Sequence, residues 1–123
     1  MTQSYTVKIT LPNHVLGDKW AGFEIGPIII DGTTPEDPLT RVRAHFRHSD
    51  GTLFKLDSDE ADRDQGIEIT NAVVWTAVVP EMMVFLPKSG DWIWDMEFYQ
   101  GDDTAPLTLY CGAIRVSDDI TKD

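Results

Sequence analysis

The chain has 123 residues, 41% hydrophobic and 25% charged, which suits one domain whose core needs no disulfide staples. Its one cysteine, Cys111, excludes an internal disulfide and a cysteine-built zinc site, and is read as a small apolar residue. A net charge of −11 opposes nonspecific nucleic-acid binding and docking on anionic membrane, both of which need clustered cations, and favours solubility and a basic protein partner.

The opening MTQSYTVKITLPN has no basic stretch followed by an apolar run, so it does not read as a signal peptide. No apolar run approaches the length of a membrane span. Synthesis in the cytoplasm is the expectation.

The dominant period along the chain is two. Tyr5, Val7 and Ile9 alternate with polar neighbours in a first strand that stops before Pro12. Residues 1–12 are read as an extended N-terminal strand or arm that adds to a neighbour. Trp20 to Ile30 is a second extended stretch, broken at Gly26-Pro27, with Ile28, Ile29 and Ile30 as a short buried run. Asp31 to Pro38 is turn chemistry.

LTRVRAHFRHSDGTLFKLD follows. Val42, Ala44 and Phe46 face one way; Arg41, Arg43, His45 and Arg47 face the other. Asp50-Gly51 supplies a hairpin turn, and Thr52 to Leu56 returns. Asp57 to Gly66 is charged and aperiodic, which predicts a solvated acidic loop and a variable contact surface. Ile67 to Thr70 is a short strand with Ile67 and Ile69 inward, and AVVWTAVVP is another, ended by Pro80. Glu81 to Leu86 is a helical turn or a connecting segment.

GDWIWDMEFYQGDD places Trp92, Trp94, Met96 and Phe98 on one face of a strand. Each is worth roughly 2–3 kcal/mol when buried, and together in water they would form a large apolar patch, so this face is core. Ile93, Asp95, Glu97 and Tyr99 take the other face. Outward acids here and outward Arg41, Arg43 and Arg47 on the earlier strand predict that the two strands are neighbours with cross-strand charge pairs. Leu107 to Val116 is the last strand, and residues 118–123 are a polar tail. The sum is an all-β single domain over residues 1–123, a sandwich or barrel of about eight short strands.

No constellation points to chemistry. Neither Asp57 nor Asp59 starts a calcium loop of the helix–loop–helix type, since Ala61 and Asp62 fall where a ligand and a glycine are needed. An irregular calcium site is the alternative to a plain acidic loop. His45 and His48 lie three apart, on opposite faces of a strand. No nucleophile elbow, phosphate loop or dinucleotide fingerprint is present, and no cofactor is called for. Asp95 and Glu97 beside arginines read as structural rather than as a glycosidase pair. Trp20 and Trp75 are the aromatics left over: candidates to contact a partner or stack on a sugar, as in a carbohydrate-binding module, against ordinary burial.

From LTRVRAHFRHSDGTLFKL through GIEITNA, LPKSGDWIWDMEFYQGD and LTLYCGAIRVSDDIT, the order of motifs resembles small immunoglobulin-like structural domains encoded among the tail and baseplate genes of tailed bacteriophages. Asp95-Met96-Glu97 stands where those chains carry D-L-E, and Gly112 and Val116 fall in a closing L-x-x-G-x-x-x-V strand. The likeness covers residues 28–121. It implies an immunoglobulin-like antiparallel β-sandwich of seven to nine strands. It further implies a non-enzymatic virion protein that meets other virion structural proteins or copies of itself. Capsid decoration is the alternative placement. It supplies no catalytic residues.

Overall fold

The computed structural model describes residues 7–30, 32–61, 63–101 and 106–118. Among them are ten strands and no helix: β1 (Val7–Thr10), β2 (His14–Val15), β3 (Phe23–Ile25), β4 (Leu39–His48), β5 (Leu53–Asp57), β6 (Gln65–Gly66), β7 (Glu68–Asn71), β8 (Thr76–Val79), β9 (Gly90–Gln100) and β10 (Leu107–Ser117). The count passes seven to nine because β2 and β6 are two-residue pieces.

The strands form two sheets, a large one ordered β1-β10-β9-β4-β5-β6, with β2 also on β10, and a small one ordered β3-β8-β7. With β3 as strand B, the small sheet reads B-E-D and the large one G-F-C-C′, the connectivity of a variable-type immunoglobulin sandwich. The sheets are not wholly antiparallel: β1 and β2 run parallel to β10, and β6 runs parallel to β5. Val7–Thr10 is therefore not a free arm, because it pairs with Tyr110–Ala113 of its own chain. Residues 1–6 and 119–123, at the two ends of the chain, lie outside the described residues, as does Asp62.

The period-two pattern places the core. Val42, Ala44 and Phe46 of β4 and Trp92, Trp94, Met96 and Phe98 of β9 are all buried, and Phe46 stacks on Trp94 at 5.8 Å. Ile114 and Val116 of β10 extend this face, and Ala77 and Val79 of β8 close it from the small sheet. Glu81 to Leu86 is a connecting segment rather than a helical turn. Its backbone bridges to Trp20 at Met82. Its Phe85 fills the space between the sheets, stacked on Trp20 at 4.1 Å and edge-on to Phe46 at 5.3 Å.

Two apolar runs differ from the pattern read in the sequence. In AVVWTAVVP the strand begins only at Thr76. Asn71 Oδ1 accepts hydrogen bonds from the amides of Val73 and Val74, which captures the first half of the run as a turn. In the Ile28-Ile29-Ile30 run only Ile28 is buried, and Ile29 is exposed.

Candidate interaction surface

The outer face of the large sheet carries the side chains that the core did not take. Cross-strand register arranges them in rows. Leu53, Arg47, Ile93 and Ala113 form one row across β5, β4, β9 and β10. Lys55, His45, Asp95 and Cys111 form the next, followed by Asp57, Arg43, Glu97 and Thr108. Arg41 opposite Tyr99 ends the series.

At the Arg41 end the face is tied together. Arg43 Nε donates to Glu97 Oε1 at 2.7 Å. Arg41 Nε donates to Asp57 Oδ1 at 2.9 Å, and its Nη2 reaches the second carboxylate oxygen. Both guanidinium groups lie over the Tyr99 ring, 5.4 and 5.6 Å from its centre. Burial alone would raise the Asp57 carboxyl. The hydrogen bonds from Arg41, the Asp59 amide and the charges of Arg41 and Arg43 together hold it below its ordinary value. The same contact raises Arg41 further above its already high value.

The charge pairing differs from the one expected. β4 and β9 are neighbours, and Arg43 meets Glu97. Arg41, however, takes its carboxylate from β5, at Asp57, rather than from β9, because Leu53, Lys55 and Asp57 alternate onto this same face. Arg47 and Asp95 form no ion pair among the described residues; their register partners are Ile93 and His45. Burial, and then the neighbouring Glu97, raise the Asp95 carboxyl. Asp57 is thus no part of a solvated loop: its side chain is 5% exposed. Beyond it, Gln65 and Gly66 form a strand on β5.

At the other end, His45, Arg47, Leu53, Ile93, Asp95 and Cys111 line a shallow concavity of about 600 Å³. Ile93 is 63% exposed and Leu53 38%. No group of three or more metal-ligating side chains occurs among the described residues. His48 is tied locally instead: its Nδ1 accepts from the Asp50 amide and its Nε2 meets the Ser89 carbonyl at 2.7 Å.

Trp20 and Trp75 are corrected from contact residues to core. Trp20 is 8% exposed beneath Phe85, and Trp75 is fully buried. Trp75 stacks on Phe98 at 6.1 Å and donates its indole hydrogen to the Asp37 carbonyl at 2.9 Å. Stacking on a sugar needs an open ring face, which neither offers. Sequence reasoning passed over Ile93 and Leu53 as parts of a surface. The signal was available for Ile93, an apolar residue at the outward phase of the strand whose inward phase is tryptophan.

Comparison with protein-family models, with curated proteins and with solved structures finds no match.

Proposed function

We propose that this chain is a non-enzymatic structural protein of a tailed-bacteriophage virion, an adaptor in the tail or baseplate that works through protein–protein contacts. The observation that carries the reading is the outer face of β4, β5, β9 and β10, a broad mixed-charge surface with Ile93 open at its centre. Ile93 and Leu53 put apolar area within a charged face, the composition of a docking surface with an apolar centre and a polar rim. The motif order from Leu39 to Thr121 and the variable-type strand connectivity support the virion placement.

The carbohydrate-binding alternative loses its anchors with Trp20 and Trp75 buried. Decoration of the capsid differs from the tail reading only in location. Mass spectrometry of gradient-purified particles tests both. The chain recovered in tail-containing and not in tail-less particles supports the adaptor. Recovery with capsids alone moves it to decoration, and absence from particles overturns the virion role.

A further inference from the structure

We infer that the outer face of β4, β5, β9 and β10 receives a second copy of this chain across a two-fold axis, Arg47 of each copy pairing with Asp95 of the other. This deepens the adaptor reading by naming a partner, and takes from it only the choice of face.

Charge is the first argument. The outward side chains of these four strands include five of the ten cations (Arg41, Arg43, Arg47, Lys55 and Arg115). They include only four of the 21 acids (Asp57, Asp91, Asp95 and Glu97). The face sums to about +1, and the remainder of the chain carries about −12. Two copies therefore repel one another least through this face. A basic partner would be drawn to the remainder. An acidic partner would find Arg41, Arg43 and Arg115 already bonded to Asp57, Glu97 and Asp91.

Geometry is the second argument. A two-fold interface must be self-complementary. Arg47 and Asp95 are diagonal neighbours on β4 and β9, of opposite charge, and neither makes an ion pair among the described residues. An axis in the interface plane, midway between them, brings each against the other's counterpart in the second copy. Ile93 and His45 occupy the other diagonal of the same cell, so the axis sets Ile93 against Ile93. The exposed isoleucine is then covered by its own kind, at the centre of a face flanked by Leu53 and Ala113.

Sedimentation equilibrium of the purified chain tests this. The wild type is expected to dimerise. Arg47→Glu and Asp95→Arg are each expected to raise the dimer Kd by roughly tenfold or more, since each sets two like-charged pairs across the axis. An equimolar mixture of the two variants, and the Arg47→Glu/Asp95→Arg double variant, are expected to associate again. Ile93→Asp should dissociate the dimer independently, and thermal melts confirm that each variant is folded. A wild type that stays monomeric to about millimolar concentration, or a dimer indifferent to the single variants, overturns the proposal. So does a mixture that fails to reassociate. None of these results bears on whether the chain is found in particles, which tests the adaptor reading separately.

Discussion

The Arg41 guanidinium grips the Asp57 carboxylate side-on, with Nε 2.9 Å from Oδ1, and only one of the two groups reaches water freely. The Asp57 side chain is 5% exposed and that of Arg41 32%. Breaking such a pair costs most when the deeper charge is left behind. Arg41→Ala is therefore expected to lower unfolding free energy by about 2 kcal/mol, discounted for the exposure of Arg41, and more than Asp57→Ala. Urea denaturation of the two variants checks the order.

The same pair sets acid sensitivity. Because the folded protein holds Asp57 below its ordinary value, its contribution is present above the unfolded carboxylate pKa of about 4. It is lost as pH falls through the lower, folded value. Asp95 has the opposite sign: its folded value is raised, so its ionised form opposes folding at neutral pH. Asp95→Asn is expected to stabilise the monomer at pH 7, read as a higher urea midpoint at dilute protein concentration.

His14 is the acid-sensitive group nearer neutrality. It is buried against Trp20 and Phe85, and burial, opposed in part by Asp18, lowers its pKa. The stability it contributes is full above the unfolded value of about 6.5 and declines as pH falls through the folded one. The urea midpoint should drop between pH 7.5 and 5.5, and the drop should shrink in His14→Leu.

Gly22 and Gly17 make a paired test of backbone strain. Both have positive φ, 77° and 91°. A Cβ at Gly22 would collide with the backbone of Val79 and Pro80, whereas one at Gly17 would meet nothing. Gly17→Ala is expected to cost about 1 kcal/mol, the strain of the left-handed conformation alone. Gly22→Ala should cost at least about 3 kcal/mol, or prevent folding, because β8 must move. Thermal melts of the two variants separate these outcomes.

Alternation made most of the large sheet legible in the sequence. In β4 and β9 a period of two separated the buried Val42, Ala44, Phe46, Trp92, Trp94, Met96 and Phe98 from the charged face, and the acids of β9 pointed to the arginines of β4. The A-V-V-W run reads as strand on its apolar character alone, because the competing influence was the pair of hydrogen bonds that Asn71 Oδ1 accepts from the Val73 and Val74 amides, which no apolar pattern registers. Asp57 was misplaced for a related reason. Its neighbours in DSDEADRD are solvated, yet it is also the last outward position of β5, and the strand phase won. Trp75 ends that continuous apolar run and Trp20 stands outside the alternating strands, so no period assigns either a face, and their burial followed from tertiary packing against Phe98 and Phe85.

The most direct test of the docking face is a quantitative pull-down from phage-infected lysate with two baits, the wild-type chain and Ile93→Asp. The account predicts that tail or baseplate proteins come with the wild type, and that untagged copies of the chain come with the wild type and are lost or sharply reduced with the variant. Equal recovery of the untagged chain by both baits, or recovery of glycans and host envelope components alone, would contradict it.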